Sequence, residues 1–189
     1  MPVLIPEGLE LTQRPVLTQR EKNIVKWMGN FYLFCKECQG SKDLNEEHKK
    51  LCEFMQEDEH DFKLILMPRY SFKSAVCDEH WAVWNLLREP DNRILIYSDA
   101  ATKAGVFLNR IKNHYEGKAR GSEFRNTYGD WTTNPQTGQW NDSQVIVSKR
   151  TFGSDSPSID TCGIEASKVG MHFDILIFDD IVSDLNVTT

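Results

Sequence analysis

Short, continuous apolar runs alternate with amphipathic segments along most of the chain. LILM, RILIYS, QVIV and DILIF are such runs, and the stretches between them carry apolar residues at helical spacing. Short uninterrupted apolar runs are typical of strands that are buried on both faces, which occur in parallel sheets covered by helices. We therefore expect an α/β fold with a mainly parallel central sheet flanked by helices.

The sequence pattern of the first 60 residues predicts helices and no strand. Residues 1–19 carry three early prolines and little periodicity, which indicates an extended arm. Residues 19–34 place apolar side chains on one helical face, and Asn45 is a suitable N-cap for a second helix, EEHKKLCEFMQ. We interpret residues 1–60 as an N-terminal arm and helical subdomain.

Residues 61–189 carry the pattern of the sheet. The apolar runs predict strands at residues 63–67, 93–98, 144–149, 158–164 and 173–182. Helices are expected from Ser74 to Pro90 and over residues 100–117, where Gly117 would close the second one. Residues 118–143 predict a long loop with room for one short strand. Because the chain stops soon after its last predicted strand, we expect this core to be truncated.

The overall composition excludes some classes of protein. The formal net charge is −6, so the chain as a whole has no electrostatic footprint for nucleic acid. No apolar run approaches the roughly 18 residues of a membrane span. The cysteine count is five, an odd number, and the N-terminus has no export signal, which favours reduced thiols in a cytosolic setting.

The stretch LILMPRYSFKS at residues 64–74 has the layout of a phosphate-binding loop. An apolar run enters a proline-marked turn that ends in Lys73-Ser74, and a helix is predicted directly afterwards. Phosphate loops of the form G-x-x-x-x-G-K-[ST] also carry two glycines, where this chain has Met67 and Phe72. The stretch is therefore either a degenerate phosphate loop or a strand end that happens to contain a lysine.

A phosphate loop would assign a role to each polar residue of this stretch. Backbone N–H groups and the N-terminus of the following helix would face the phosphates. Lys73 would reach the β- and γ-phosphates, and the Ser74 hydroxyl would ligate Mg²⁺. Arg69 would supply a guanidinium to the γ-phosphate as charge develops during transfer.

A second motif, DILIFDD, lies about a hundred residues downstream. It is a buried-type strand that ends in Asp179-Asp180, the arrangement of a Walker B motif. The first carboxylate would hold Mg²⁺ and the second would orient the attacking water. An acidic pair that only caps a strand at the surface is the alternative. The order strand, loop, Lys-Ser, helix and then strand with paired acids favours the binding of ATP with Mg²⁺.

Residues 20–185 resemble the ATPase domain of large terminase subunits, the motors that package viral DNA. LILMPRYSFKS, RILIYSDAATKAGVFLNRIKNHY and GMHFDILIFDDIV carry the resemblance. It implies a P-loop NTPase of the ASCE type with an N-terminal helical appendage, and a loop that binds nucleotide through Pro68, Arg69, Tyr70, Ser71, Phe72, Lys73 and Ser74. Asp179 would associate with Mg²⁺ and Asp180 would be catalytic. The chain departs from the family at Tyr70, where glycine is usual, and at Asp180, where many members have Glu.

The resemblance also implies a biological setting. The expected function is ATP hydrolysis that drives double-stranded DNA into a bacteriophage procapsid, in the host cytoplasm and without a membrane. The expected partners are the portal protein, the small terminase subunit and further copies in a ring, whereas the isolated domain would be a monomer. The nuclease domain of the family would lie outside this chain.

Ring assembly and base recognition imply further candidate residues. An arginine that reaches the neighbouring subunit's nucleotide would be Arg150, with Arg125 as the second choice. The adenine would be approached by Glu47 or His48, or by Gln19 through its amide.

Other interpretations remain open at this point. Cys35, Cys38, His48 and Cys52 have a spacing that could hold zinc, although buried thiols between two packed helices explain it equally simply. The aromatic residues between 124 and 140 could face DNA or pack a long loop onto the domain. A helicase-like motor and a non-hydrolysing binding module are the alternative functions.

Overall fold

The centre of the protein is a four-stranded sheet in which three neighbouring strands run parallel. The computed structural model describes residues 17–134, 139–153 and 155–181. The strands are β1 (Ile94–Ser98), β2 (Gln144–Val145), β3 (Ile159–Gly163) and β4 (Ile175–Asp179), in the order β2-β3-β1-β4. β3 and β4 run parallel to β1, and β2 is antiparallel to β3. The expected α/β fold with a mainly parallel sheet is confirmed.

The three parallel strands end level with one another. Ser98 of β1 is aligned with Gly163 of β3 on one side and with Asp179 of β4 on the other. In open sheets of this kind, ligands bind outside the carboxyl ends of the strands. The acidic end of β4 therefore lies at the edge where a ligand site is expected.

Helices surround this sheet, and sequence signals fix several of their ends. They are α1 (Gln19–Gly29), α2 (Phe31–Leu33), α3 (Glu46–Gln56), α4 (Trp81–Arg88), α5 (Ala101–Glu116) and α6 (Phe124–Tyr128), with π-helical turns at Phe34–Cys38 and Ala75–His80. Asn45 caps α3 by accepting hydrogen bonds from two backbone N–H groups. Gly117 ends α5 at a φ of 72°, a conformation that glycine adopts without steric cost. Both predicted caps are confirmed.

The N-terminal helices share one hydrophobic core with the rest of the protein. Phe31 of α2 is fully buried and packs edge-on against Trp81 at 5.0 Å between ring centroids. The Trp84 indole N–H donates to the Trp27 backbone oxygen at 3.0 Å. Buried aromatic area of this size contributes strongly to stability. The helices before residue 60 are therefore packed directly onto the helix that follows the candidate phosphate loop.

The region between α5 and β2 packs around one buried tyrosine. The Tyr115 ring is fully buried and contacts the rings of Phe124, Trp131 and Trp140 at 5.1 to 6.2 Å. α6 lies in this region, where only loop and a short strand were predicted. Because these aromatic rings are buried, they support the packing interpretation and have no free face for stacking on nucleic-acid bases.

The predicted strand at residues 63–67 is wrong. These residues lie outside the described sheet, and Leu64 and Leu66 are more than four-fifths exposed. Ile65 and Met67 pack against the core. The apolar run was interpreted as a strand buried on both faces, but within the described residues only one side of it meets the core.

The predicted strand at residues 144–149 is shortened to β2 (Gln144–Val145) for a local reason. The next backbone donors turn away from the sheet: Val147 N–H donates to the Ser158 hydroxyl, and Ser148 N–H donates to the Trp131 carbonyl. The backbone is satisfied by these groups instead of by a ladder, so the strand ends after Val145.

Candidate nucleotide and metal site

Side chains from the two predicted motifs meet at the carboxyl end of β4. Lys73 Nζ lies 2.8 Å from Asp179 Oδ1 and 3.3 Å from Asp180 Oδ1. The Ser74 hydroxyl donates to Asp179 Oδ2 at 3.3 Å. These pairs join residues that are more than a hundred positions apart in the sequence. The Lys-Ser pair and the acidic pair therefore form one site.

The two aspartates of this site differ sharply in their exposure. The Asp179 side chain is 7% exposed, whereas that of Asp180 is 80% exposed. Asp180 also has a φ of 45°, which turns the chain directly after the strand. An inner carboxylate beside a hydroxyl is a suitable ligand pair for a hard cation such as Mg²⁺. The outer carboxylate is placed to contact water.

Lys73 is held in its charged form. Burial acts to lower its pKa, but the hydrogen bond and charge of Asp179, followed by those of Asp180, outweigh burial and raise the pKa above its ordinary value. Its ammonium group offsets part of the negative charge of Asp179 and Asp180. A phosphate group that enters the site would compete with these carboxylates for the same ammonium.

Asp78 is a further acidic residue of the site that the sequence analysis missed. It is 2% exposed, and its Oδ2 has no hydrogen-bond partner among the described residues. Burial raises its pKa to about 8; the nearby charge of Asp179 adds to the rise, and Lys73 acts against it. The available signal was its position four residues after Ser74, one turn along the same helical face.

The loop itself adopts glycine-like backbone angles without any glycine. Tyr70 has a φ of 63° and Phe72 a φ of 56°. The left-handed region costs a residue with a Cβ atom about 1–2 kcal/mol. Tyr70 is almost fully exposed, so contacts of its side chain do not explain the conformation. The loop therefore takes the shape that glycine would normally permit and stores strain in doing so.

His48 supports this loop from α3. Its Nε2 lies 2.9 Å from the Ser71 carbonyl oxygen, which can only accept, so Nε2 carries the hydrogen. The ring of Phe72 packs edge-on against the His48 ring at 5.8 Å. His48 is 6% exposed. These contacts give His48 a role in positioning the loop, whereas its predicted approach to the base stays a prediction.

The other predicted loop residues differ in accessibility, and the Ser71 hydroxyl is buried without a partner among the described residues. Pro68 and Arg69 are exposed at the start of the turn, and Glu47 is exposed on α3. Because the Arg69 side chain is exposed, burial does not prevent it from reaching a phosphate. Its proposed contact with the γ-phosphate stays a prediction.

Gln19 belongs to a different part of the molecule. Its side-chain amide donates to Asn23 at 2.9 Å within α1. The adjacent Arg20 donates to the Thr127 carbonyl, which ties the start of α1 to α6. The predicted contact of Gln19 with adenine stays a prediction.

Arg150 lies near the opposite end of the sheet. It donates to the Ser156 carbonyl at 2.7 Å, shortly before β3 begins. The charges that act on it are those of Asp91, Arg93 and Asp174, close to the amino ends of β1 and β4. If Arg150 contacts a nucleotide, that nucleotide would therefore have to be bound to a neighbouring subunit. The second choice, Arg125, is paired with Asp130 at 2.8 Å.

Two of the four candidate zinc ligands of the N-terminal helices, Cys35 and Cys52, are in contact with each other. Cys35 interacts with Cys52, and burial raises the pKa of the Cys35 thiol well above its usual value. Burial also raises the pKa of Cys38, with a further contribution from Glu123. His48 uses its Nε2 on the loop carbonyl. Buried thiols between packed helices act as small apolar side chains, as the packing interpretation expects.

Comparison with known proteins gives no matching family model and no matching curated protein. None of the described helices combines the length and the apolar character that a membrane span requires. The functional interpretation therefore depends on the geometry of the site.

Proposed function

We propose that this chain is a Mg²⁺-dependent ATPase domain of the P-loop type. The observation that carries the proposal is the convergence of Lys73 and Ser74 on the two oxygens of Asp179, at 2.8 and 3.3 Å. A lysine and a hydroxyl that start a helix, facing a buried carboxylate at a strand end, are the groups that ATP and Mg²⁺ need together.

The donor set fits a magnesium ion. Ser74 and Asp179 offer hard oxygen ligands, and the buried Asp78 Oδ2 lacks a partner within the described residues. When held by these residues, the ion would supply Lewis-acid stabilisation of the negative charge that develops during phosphoryl transfer. Asp78 would deprotonate as positive charge arrives, because its raised pKa depends on burial and on neighbouring negative charge.

The chain's own residues supply the remaining parts of the reaction. Lys73 moves its ammonium group from the carboxylates to the phosphates, and Arg69 stabilises charge on the γ-phosphate. Asp180 orients a water molecule and accepts its proton as the water oxygen bonds to phosphorus. The bond between phosphorus and the β–γ bridging oxygen breaks, and ADP leaves.

The larger biological role is proposed from the sequence resemblance. The ATPase would drive double-stranded DNA into procapsids as the motor domain of a terminase large subunit, acting in a ring with the portal protein and the small subunit. The position of Arg150 at the far end of the sheet is compatible with a contact across such a ring. The rings of the buried aromatic cluster are not available for stacking on DNA bases.

ATP titration followed by a turnover assay tests the proposal. We expect Lys73→Ala to weaken Mg-ATP binding by at least about 100-fold, because the ammonium contact to the phosphates is lost. Asp180→Asn should retain binding and lose turnover by about 100-fold or more. Arg93→Ala, at the other end of the sheet, is the matched control and should bind ATP like the parent chain. Parent protein that shows no Mg-ATP affinity would contradict the proposal.

A non-hydrolysing binding module is the second candidate, and the loop favours it. The strained backbone angles at Tyr70 and Phe72 add a free-energy cost to phosphate binding, and glycine at these positions would avoid that cost. The same titration separates the two functions. A parent chain without Mg-ATP affinity would favour the binding module, in which the degenerate loop has lost nucleotide.

A further inference from the structure

Three potential metal ligands lie together on the far side of the helix that follows the loop. One ligand atom each from Glu79, His80 and His114 lies within 4.8 Å of the other two, and this is the one such group found within the described residues. Glu79 and His80 belong to the π-helical turn before α4, and His114 lies on α5. The His80 and His114 rings meet nearly at right angles, 5.4 Å apart. Single-turn π-helices frequently mark functional sites.

The two histidines are buried with ring nitrogens that lack partners. His80 is 3% exposed and His114 is 6% exposed. Nδ1 of each ring has no hydrogen-bond partner among the described residues. Buried polar groups without partners are rare and need an explanation, such as an ion or a water molecule. Two orphaned imidazole nitrogens in one cluster point to a shared ligand.

One tautomer of His80 leaves a free lone pair on Nδ1, and the Ser41 hydroxyl can accept the hydrogen bond that this tautomer donates. His80 Nε2 lies 2.8 Å from the Ser41 hydroxyl. A histidine that binds a metal through one nitrogen usually donates the other ring N–H to a neighbouring oxygen, which fixes its tautomer. With Nε2–H donating to Ser41, Nδ1 carries the lone pair that a metal requires.

Both rings remain neutral over the ordinary pH range. Burial lowers the pKa of His80 to about 3, with a contribution from His114, and burial lowers the pKa of His114 to about 4. Neutral imidazole is the form that coordinates metals. Glu79 pairs with Arg110 at 2.8 Å through Oε1, and a carboxylate oriented in this way still has a second oxygen for a metal.

We propose that Glu79, His80 and His114 bind one zinc ion that links the turn after the candidate phosphate loop to α5. Two imidazoles and a carboxylate match the ligand preference of zinc, and a water molecule would complete its tetrahedron. Tetrahedral zinc needs ligand atoms about 3.4 Å apart at bond lengths of about 2.1 Å. The ligand atoms lie within 4.8 Å of one another in the structure, so zinc binding would require the side chains to move closer together. This zinc site is separate from the magnesium site at Ser74 and Asp179.

Metal analysis and zinc titration of the full chain test the proposal. The protein is treated with EDTA, titrated with Zn²⁺ in the absence of nucleotide, and examined by calorimetry and by thermal unfolding. We expect one equivalent of zinc to bind and to raise the Tm. His114→Gln should weaken zinc binding by more than the roughly 10- to 100-fold that an outer-shell change costs. Ser41→Ala should weaken it within that range.

Two control variants exclude adventitious binding. Asp179→Asn removes the magnesium ligand and should leave zinc affinity unchanged, as should His60→Gln, which alters an exposed histidine. Loss of zinc binding in Asp179→Asn would place the ion in the other site and overturn the proposal. Parent protein that binds less than half an equivalent of zinc would also overturn it, and this result does not depend on the folding of any variant.

Discussion

The two ends of the parallel sheet hold their charges in opposite ways. At the carboxyl end, Lys73 is shared between Asp179 and Asp180, and Asp78 is buried with an orphaned oxygen. At the amino end, the Arg93 side chain donates twice to Asp174, and its backbone N–H donates a third time. At the amino end, the charged pair links β1 to β4. At the carboxyl end, the negative charges outnumber the positive ones, so a positively charged ligand could bind there.

Backbone strain is also found at the carboxyl end of the sheet. The non-glycine residues with positive φ among those described are Tyr70, Phe72 and Asp180, and all three belong to the candidate site. Strain of this kind persists where the surrounding structure enforces it, and it clusters at functional sites. The comparison predicts that substitutions at the carboxyl end relieve strain or unpaired charge, whereas those at the amino end only lose contacts.

The largest of these effects is expected at Asp78. Its pKa is raised to about 8, so between about pH 4 and pH 8 the folded chain keeps a proton that the unfolded chain releases. The free energy of unfolding should therefore fall as the pH rises through this window. Urea denaturation without metal or nucleotide should find Asp78→Asn about 1–3 kcal/mol more stable than the parent at pH 7.5.

The pH dependence supplies the check on this prediction. The advantage of Asp78→Asn should shrink towards pH 4, where Asp78 is protonated in both states of the parent. Parallel stability curves for the two proteins would show that Asp78 ionises normally. In that case burial would not keep Asp78 protonated, and the contrast between the two ends would lose this support.

A smaller effect is expected from the loop backbone. Tyr70→Gly should relieve about 1–2 kcal/mol of left-handed strain. The greater freedom of glycine in the unfolded chain offsets part of this gain, and a net gain of about 1 kcal/mol is expected. Tyr70→Ala is the matched control, since it removes the exposed ring but keeps the strained φ. If alanine stabilised the protein as much as glycine does, the ring and not the backbone would be responsible.

The smallest effect is expected at the amino end. The Arg93 side chain, through its hydrogen bond to the carboxyl group, lowers the pKa of Asp174, so this pair contributes stability at neutral pH that is lost as the pH falls below the usual range of Asp. Both side chains are partly exposed, and solvent screening limits the contribution to about 1 kcal/mol or less. Asp174→Asn should therefore destabilise slightly at pH 7, opposite in sign to Asp78→Asn. If Asp174→Asn were instead more stable than the parent, the two ends of the sheet would not differ in the way that the comparison predicts.

The sequence predicted those parts of the fold that depend on local patterns. The strand that ends in Asp179, the N-cap Asn45 and the αL residue Gly117 each follow from neighbouring residues, and the structure contains all three. The expected burial of this strand on both faces is wrong, because Leu176 and Phe178 are more than half exposed at the edge of the sheet. The parallel arrangement also followed, because apolar runs alternate with amphipathic helices.

Features that depend on distant contacts were not predictable in the same way. Residues 63–67 have the composition of a buried strand, but whether a run joins a sheet depends on partners elsewhere in the chain. Asp78 occupies a position on the apolar face of a helix, and only the approach of β4 places Asp179 close to it. Likewise, the meeting of His80 with His114 depends on how α5 packs on the preceding helix.

The position of Lys73 has a consequence for how the site would load. On the proposed function, one ammonium group offsets part of the charge of two carboxylates until phosphate draws it away. The acidic pair then lacks a counter-charge, and a divalent cation restores the balance. Nucleotide and metal would thus each strengthen the binding of the other, a positive thermodynamic coupling. The protein would discriminate against free ATP and free Mg²⁺ alike and would respond to the complex of the two.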